Sequence, residues 1–204
     1  MEKMPTKRQL QADAAKNRLR MAALELFAAE GFENVTVENI CQKAQVSKGL
    51  FYNYYASKEE VLLERFVQLD DLYRQTMENF PPEWTARQRM LALLVAGYRG
   101  LNDSSIGRQS GQITYGSAIK QGKSPLKDES RYFYRAIQEI IDYGRSRGQI
   151  PAGVADEDIV RLVQLCAWGG AFSLFLGQGS DADLEQAQEA VDAILFRVLR
   201  DPAE

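Results

Sequence analysis

Residues 46–58, VSKGLFYNYYASK, constrain this chain more than any other part of its sequence. The pair Gln45-Val46 leaves room only for a sharp turn, and Ser47 is a preferred residue at the N-terminus of a helix. The helix that follows is short and aromatic, and a second cap stands at Ser57. Together with an apolar-periodic helix over residues 37–44, this segment predicts two short helices that meet at a tight turn.

The short second helix carries Tyr52, Tyr54 and Tyr55 and is flanked by two lysines. Tyr55 follows Phe51 by four residues, so we expect both rings to share one face and to pack inward. In an ordinary helical hairpin the other two hydroxyls would need buried partners. In a DNA groove, tyrosine rings lie along sugars and bases, and hydroxyls and ammoniums reach phosphates. The pattern therefore favours a DNA-binding helix-turn-helix over a structural hairpin.

Charge is distributed unevenly along the chain. The net charge is −3, yet residues 1–58 hold nine Lys/Arg and six Asp/Glu, against sixteen and twenty-two in the remainder. A basic N-terminal segment on an otherwise acidic chain directs one end of a protein toward phosphate. Histidine is absent, which removes the usual general base and the commonest transition-metal ligand. We therefore assign no catalytic residue, metal ligand or cofactor.

Cys41 and Cys166 lie in apolar helical patterns and are predicted to be buried thiols, with a disulfide or redox switch as the alternative.

Helical periodicity runs through the whole chain and predicts an all-α fold of about nine helices. The first four cover residues 12–30, 37–44, the short helix after Ser47, and a long helix from Ser57 to about 79, which Pro81-Pro82 ends. Further helices are placed near 85–101, 105–122, 126–148, 156–177 and 181–200. Two capping boxes are predicted: Thr36 with Asn39 as a partial box, and Ser57 with Glu60 as a complete one. Residues 1–11 are expected to form a flexible arm.

No apolar run long enough for a membrane span and no secretory signal is recognised, which favours the cytoplasm.

Residues 16–62 resemble the DNA-binding domain of the tetracycline-repressor (TetR/AcrR) family of bacterial transcription regulators. The matching motifs, in order, are AALELF with EGF at 22–32, Thr36-Val37 with Ile40 and Lys43-Ala44, VSKG at 46–49, and LFYNYY with SKEE at 50–60. The resemblance implies a helix-turn-helix domain over residues 1–60 and a ligand-binding and dimerisation domain over residues 61–204. It further implies a homodimeric repressor, which binds a palindromic double-stranded operator and is released by a small-molecule effector.

The resemblance also implies roles for individual residues. Thr36 should touch a backbone phosphate, Lys48 and Gly49 should lie at base edges, and Tyr52 and Tyr54 should line the groove wall. Lys58 should bind phosphate from the start of the fourth helix. Leu50 stands where a small hydroxyl residue is frequent in the family, and we expect it to contact a thymine methyl group. The complete expected DNA-binding set is Thr36, Ser47, Lys48, Gly49, Leu50, Tyr52, Asn53, Tyr54 and Lys58.

The helix predicted over 156–177 carries more apolar surface than one helix of a small domain usually hides, and apolar residues line one side of the next helix. Small residues among them would let two helices approach closely. These features, with the resemblance, predict a homodimer through a four-helix bundle, and the alternative is a large monomeric core. The expected dimerisation residues are Leu165, Ala167, Gly169, Ala171, Leu174, Val191, Ile194, Leu195 and Val198. Gly169-Gly170 could make room for a ligand or for the partner, and the pattern does not separate these.

Aromatic and polar residues in the part of the chain that follows residue 80 suggest a site for an apolar or aromatic small molecule. The expected lining residues are Trp84, Tyr98, Gln112, Tyr115, Tyr134, Trp168 and Phe172. Two other functions are weighed against a ligand-responsive regulator. A helical enzyme with an aromatic pocket would need an acid/base pair or nucleophile, and none stands out without histidine. A ligand-independent architectural DNA-binding protein would bind DNA weakly and with no effector response.

Overall fold

The structure is a computed structural model that describes residues 6–102, 108, 111–113 and 128–199 of the 204-residue chain. All regular secondary structure in these residues is helical, which confirms the predicted all-α class. The described helices are, in chain order, α1 (Lys7–Glu30), a short 3₁₀ helix (Phe32–Asn34), α2 (Val37–Ala44), α3 (Lys48–Tyr54), α4 (Lys58–Glu78), α5 (Ala86–Asn102), α6 (Tyr132–Ser146), α7 (Asp156–Leu176) and α8 (Asp181–Leu195).

Most predicted helix boundaries lie within one or two residues of the observed ones, and three differ. α1 begins at Lys7 rather than at residue 12, because the strong helix formers of residues 7–11 extend it into the predicted flexible arm. α6 begins at Tyr132 rather than at 126. Before it, the Asp128 carboxylate accepts hydrogen bonds from the backbone N–H of Ser130 (3.0 Å) and from its hydroxyl (2.6 Å), which closes a turn. α8 ends at Leu195, before a turn. The helix predicted over 105–122 lies outside the described residues, except for 108 and 111–113, which are helical.

The helices α1, α2 and α3 and the start of α4 pack around one apolar core, which we call the head. Its buried side chains come from every helix of the group: Leu19, Ala22, Ala23, Leu24, Phe27, Val35, Ile40, Cys41, Ala44, Phe51, Tyr55, Val61 and Leu62. Burial of this apolar surface is the main force that holds the two short helices α2 and α3, since isolated helices of seven or eight residues are marginal in water.

Side-chain caps in the head differ from both predictions. Asn39 completes a reciprocal capping box with Thr36: the Asn39 amide oxygen accepts from the Thr36 N–H (2.9 Å), and the Thr36 hydroxyl accepts from the Asn39 N–H (3.2 Å). An asparagine therefore does here what Glu or Gln usually does, and the box is complete rather than partial. The Ser57 hydroxyl makes no cap hydrogen bond, and the Glu60 carboxylate accepts instead from the backbone N–H of Ala56. The predicted Ser57–Glu60 box is therefore wrong in its details.

A second, larger core joins α4 to α5, α6, α7 and α8, and we call this part the body. Its buried side chains begin on α4 at Leu69 and Tyr73 and include Met90, Tyr98, Ile140, Ile159 and Leu174, among others. The helix α4 therefore belongs to both cores, with Val61 and Leu62 in the head and Leu69 and Tyr73 in the body. A movement of α4 relative to the rest of the body would therefore also move the head.

Both cysteines are free and buried, one in the head and one in the body. Burial raises the pKa of both thiols, since a thiolate would be poorly solvated there. The prediction of buried structural thiols is confirmed.

The helix α7 is long and apolar enough to cross a membrane by length and composition, contrary to the sequence expectation. Its first turn carries Asp156, Glu157 and Asp158, and one face belongs to the body core. Only 33% of the apolar stretch is buried within the chain. We assign α7 to a protein core because its buried face packs on α5, α6 and α8.

Adjacent glycines on α7 have different surroundings. A Cβ atom added to Gly170 would overlap the ring and hydroxyl of Tyr98, whereas a Cβ at Gly169 would meet nothing within 4 Å. The Tyr98 hydroxyl donates a hydrogen bond to the Cys166 carbonyl (2.6 Å), which holds the ring against α7. Gly170 therefore allows α5 and α7 to approach within the body, and Gly169 lies on the open side of the helix.

Gly170→Ala is expected to lower the free energy of unfolding by about 1–3 kcal/mol, since overpacking at the Tyr98 contact must displace a buried ring. Gly153→Ala is the control, because nothing lies within 4 Å of its added Cβ and the expected change is within about 0.5 kcal/mol. Urea unfolding at one protein concentration measures both. Equal stability of Gly170→Ala and the wild type would contradict the tight α5–α7 contact.

Candidate DNA-binding surface

The helix α3 is oriented with one aromatic face inward and a polar face outward. Phe51 and Tyr55 are buried, with ring centroids 5.6 Å apart, as predicted. The Tyr55 hydroxyl donates to the Glu64 carboxylate on α4, and burial together with this carboxylate raises the pKa of Tyr55. On the outward face, Tyr52 is 57% exposed and Lys48 is exposed as well. This face of α3 is exposed and can approach a second molecule.

The turn between α2 and α3 fixes the direction of α3. Gln45 adopts the left-handed conformation (φ 56°, ψ 48°), which costs a non-glycine residue about 1 kcal/mol. Two hydrogen bonds hold it: the Gln45 N–H donates to the Gln42 carbonyl (3.2 Å), and the Val46 N–H donates to the Cys41 carbonyl (3.0 Å). The Ser47 hydroxyl then caps α3 by accepting from the Leu50 N–H at 3.2 Å. The left-handed residue has no signal in the sequence, since glycine or asparagine is usual there.

The Lys48 ammonium forms an exposed ion pair with the Glu38 carboxylate in the first turn of α2. Sequence reasoning missed this contact, because the two residues are ten apart and lie on different helices. An exposed pair of this kind contributes at most about 1 kcal/mol, so a phosphate or a base edge can compete for the ammonium. The arrangement places a carboxylate beside the lysine that is predicted to read DNA.

Glu38→Gln is expected to raise the affinity for DNA by about threefold to tenfold at 150 mM salt, because a phosphate no longer competes with a carboxylate for Lys48. Glu25→Gln is the matched control, since Glu25 pairs with Lys43 (3.0 Å) in the same head and its loss changes the net charge equally. Fluorescence anisotropy of a labelled duplex gives both affinities. A gain of the same size in the two variants would assign the effect to net charge alone.

The remaining residues of the expected DNA-binding set divide into two groups. Thr36, Ser47, Gly49 and Asn53 are exposed, and Leu50 is half-buried, so these five lie with Lys48 and Tyr52 at or beside the outward surface of the helix-turn-helix. Their DNA contacts stay predictions, which this geometry favours.

Tyr54 and Lys58 instead make contacts inside the head. The Tyr54 hydroxyl donates to the Ala12 carbonyl of α1 (3.2 Å), and its ring packs against the head core. The Lys58 ammonium donates to the carbonyls of Phe32 (2.7 Å) and Val35 (2.9 Å), and it lies 4.4 Å from the centroid of the Phe32 ring. Their predicted DNA contacts are not favoured by this geometry, because the polar atoms already hold α1 and the entry to α2.

Two residues of the expected ligand-binding set line a small cavity in the body. The cavity lies between α4, α5, α6 and α7 and has a volume of about 30 Å³. Its described lining residues are Leu69, Tyr73, Leu94, Gly97, Tyr98, Leu101, Arg131, Phe133, Ala167 and Trp168. It has room for a water molecule, whereas small-molecule sites usually exceed roughly 300 Å³. Tyr98 and Trp168 lie together at this cavity, and their role in binding a small molecule stays a prediction.

The other predicted ligand residues lie elsewhere. Trp84 packs on Phe80 beyond the end of α4, and the Tyr134 hydroxyl accepts from a glutamine of α7. Phe172 is 51% exposed on the outer face of α7, and the Gln112 amide donates to a backbone carbonyl near the end of α7. Tyr115 lies outside the described residues. Their helices present these residues to different sides of the body, so this geometry does not favour one shared site, and their role in ligand binding stays a prediction.

The expected dimerisation set also divides by burial. Ala171, Leu174, Val191 and Leu195 are buried inside the chain and are not available to a partner, which corrects the prediction for these four. Ala167 and Val198 are half-buried, and Leu165, Gly169 and Ile194 are exposed.

An exposed apolar stripe runs along α7. It contains Leu165 (62% exposed), Gly169, Phe172 and Leu176 (74% exposed), at spacings of four, three and four residues. Phe172 and Leu176 were not predicted to belong to this stripe. The helical spacing could have suggested them, but α7 is apolar on several sides, so the sequence does not mark the outer one.

Residues 19–64, which include α2, α3 and the turn between them, match the family described as bacterial regulatory proteins, tetR family. Over 77 residues, the chain is 36% identical to the transcriptional regulator TcmR of Streptomyces glaucescens, and this match covers 38% of the chain and 34% of TcmR. The chain therefore spans only about a third of the length of that relative. Over 203 residues, it is 23% identical to the transcriptional regulator SrpR of Pseudomonas putida, with 98% of this chain and 92% of SrpR covered.

A solved structure shares the fold over nearly the full length. It is that of Thermus thermophilus FadR, described as a TetR-family transcriptional repressor in complex with lauroyl-CoA. The TM-score is 0.63 at 23% identity, with 93% of this chain and 98% of FadR covered. At this identity the likeness establishes the arrangement of the helices and leaves the ligand open.

Proposed function

Since the chain belongs to the TetR family of helix-turn-helix transcriptional regulators and is not an enzyme, we propose that it is a homodimeric repressor. In this proposal it acts in the cytoplasm, binds a palindromic operator and is released by a small-molecule effector. The observation that carries the proposal is the outward face of α3, where exposed Lys48 and Tyr52 project from a rigidly capped helix. We further propose that residues 1–60 bind DNA and that residues 61–204 bind the effector and the partner.

The proposed DNA contacts come from the outward surface of the head. Lys48, Gly49 and Tyr52 supply the base edge and groove wall contacts, and Thr36, Ser47, Leu50 and Asn53 flank them. Tyr54 and Lys58 are left out of this set, because their polar atoms bond within the head. The excess of Lys/Arg over Asp/Glu in residues 1–58 supports attraction of this end to phosphate.

A second copy of the chain is the proposed partner of the exposed stripe on α7. Leucine and phenylalanine side chains as exposed as Leu165, Phe172 and Leu176 seldom form a continuous row on a monomer. The open Gly169 in the middle of the row lets a facing helix approach closely. Exposed Ala190, Ala193 and Ile194 extend the surface onto α8. A two-fold axis through this surface would build a four-helix bundle from α7 and α8 of each copy.

Dimerisation serves recognition directly. One short helix offers few base contacts, whereas two copies about 34–36 Å apart read successive major grooves of a palindrome. Linking the two contacts multiplies the affinity without any new kind of contact. An effector that fits only one separation of the two heads then shifts the dimer toward it, and coupling of about 1–3 kcal/mol changes DNA affinity about 5–150-fold. That FadR is a repressor with a bound acyl-CoA supports this mode, and effector-dependent activation is the alternative.

Selection from random duplexes tests the proposed operator. The purified full-length protein is expected to enrich an inverted repeat with half-site centres about one helical turn apart. Enrichment of a single, non-repeated motif would contradict a dimer that binds two half-sites. The absence of any enriched motif would favour an architectural DNA-binding protein.

A further inference from the structure

A shielded ion pair borders the small cavity of the body. The Arg131 guanidinium, at the residue that precedes α6, donates to the two carboxylate oxygens of Asp70 on α4, at 2.8 Å and 3.2 Å. The side chains are only 10% and 13% exposed, respectively. Two parallel hydrogen bonds of this kind are the geometry in which arginine recognises a carboxylate. The pair links α4, whose first turns belong to the head core, to the start of α6.

The surroundings of this pair are aromatic. Among the described residues that line the cavity, Arg131 is the one with a charge, and the rings of Tyr73, Tyr98, Phe133 and Trp168 line the same space. Burial raises the pKa of Tyr73 to about 12, so this ring stays neutral at physiological pH. A planar apolar group would find ring faces and edges here, with one cation at the border.

Stability alone gives a weak reason for such a pair. Replacing a buried ion pair by apolar side chains is often neutral or stabilising, because removing both charges from water costs as much as their attraction returns. Arg74 and Asp71, one position further along α4, form an exposed pair that carries none of this cost. The placement of Arg131 at a cavity suggests that its carboxylate partner can be exchanged.

We propose that the cavity binds an aromatic monocarboxylate, whose carboxylate replaces that of Asp70 on Arg131. The ligand's ring system lies among the aromatic side chains, and its two oxygens take over the two hydrogen bonds. No covalent bond changes. The assignment names the effector class for the regulator proposed above and rests on that proposal for its effect on DNA.

The exchange has a mechanical consequence. A bicyclic carboxylate does not fit a space of about 30 Å³, so its binding requires α4 to separate from the start of α6. Asp70 then loses its partner and turns to water. Because α4 also carries Val61 and Leu62 of the head core, its displacement moves α3 relative to the body and changes the separation of the two heads.

Calorimetry with 2-naphthoate and its neutral isostere 2-naphthamide tests the proposal on the full-length protein without DNA. The wild type is expected to bind naphthoate at least tenfold more tightly than naphthamide, and Arg131→Gln is expected to remove this difference. Asp70→Asn is expected to bind naphthoate more tightly than the wild type, since the competing carboxylate is gone. Because Asp70→Asn also loosens α4 from α6, its gain for naphthoate must exceed any gain for naphthamide. Measured in this way, Asp70→Asn keeps the test decisive if Arg131→Gln folds poorly. Arg74→Gln is the matched control and should behave as the wild type.

Equal binding of naphthoate and naphthamide, no binding of naphthoate up to 1 mM, or unchanged naphthoate binding in Asp70→Asn would each overturn the proposed site. A separate titration of the selected duplex distinguishes this failure from failure of the regulator itself. Naphthoate should weaken DNA binding of the wild type at least fivefold and leave Arg131→Gln unaffected. A protein that binds naphthoate through Arg131 and no DNA would retain the site and refute the proposed repressor.

Discussion

Lys48→Ala and Tyr52→Ala are each expected to weaken binding to the selected duplex by roughly 30-fold or more. Each side chain is exposed on the outward face of α3. The Tyr52 ring meets the head core edge-on at Phe51 (centroids 5.4 Å apart), and we expect the fold to survive removal of either side chain. A good base or groove contact contributes about 1–3 kcal/mol, and a dimer loses it twice. The double variant should retain only salt-dependent, sequence-independent binding. Fluorescence anisotropy at 150 mM salt, with a specific and a scrambled duplex, measures the loss.

Two matched variants separate specific contacts from general effects. Lys43→Ala deletes the same charge from the head, but its ammonium pairs with Glu25 on α1, and we expect less than a threefold loss. Tyr52→Phe keeps the ring and removes the hydroxyl, so it separates a phosphate hydrogen bond from packing along the groove. Circular dichroism and sedimentation should show unchanged helicity and oligomeric state. Wild-type affinity in Lys48→Ala and Tyr52→Ala would falsify the assignment of α3 as the recognition helix.

Leu165→Asp combined with Phe172→Asp is expected to convert the protein to a monomer at micromolar concentration. Both side chains belong to the exposed stripe on α7, and burying each against a partner contributes roughly 1.5–3 kcal/mol per copy. Carboxylates at these positions lose this contribution and repel each other across a two-fold axis. The dimer dissociation constant should rise at least about 100-fold, and operator affinity should fall with it, because a monomer reads one half-site.

Light scattering coupled to gel filtration measures the mass directly. Met21→Asp is the control, since Met21 is also a large exposed apolar residue but lies on α1, away from the stripe. It should leave the dimer intact. A dimer that persists in Leu165→Asp/Phe172→Asp, with the wild-type mass at all concentrations, would place the interface on another surface.

The head could be predicted from sequence almost completely. The helices α2 and α3 are short, each follows a capping residue, and the four-residue spacing of Phe51 and Tyr55 gives the inward face of α3 without any tertiary information. The errors concern long polar side chains. Lys58 bends back to two carbonyls, and Lys48 meets Glu38 across the turn, and both contacts depend on distances between helices that no local pattern encodes.

The body could be predicted only in outline. The helix α7 is apolar on its inner and outer faces, so periodicity does not distinguish Leu174, which is buried, from Leu165 and Leu176, which are exposed. The residues that line the cavity could not be predicted for a related reason. Tyr98 reaches it only because Gly170 leaves space on α7, and Arg131 reaches it through its pair with Asp70, sixty-one residues earlier in the chain. Such contacts are set by helix packing rather than by composition.

The spacing of the two half-sites tests the central claim most directly. Insertion of five base pairs between the half-sites of the selected operator turns them to opposite faces of the duplex, while every base that one head contacts is retained. We predict that affinity then falls to that of a single half-site, because the two copies of α3 no longer reach both grooves. Unchanged affinity for the lengthened operator would contradict a rigid dimer that presents two recognition helices one helical turn apart.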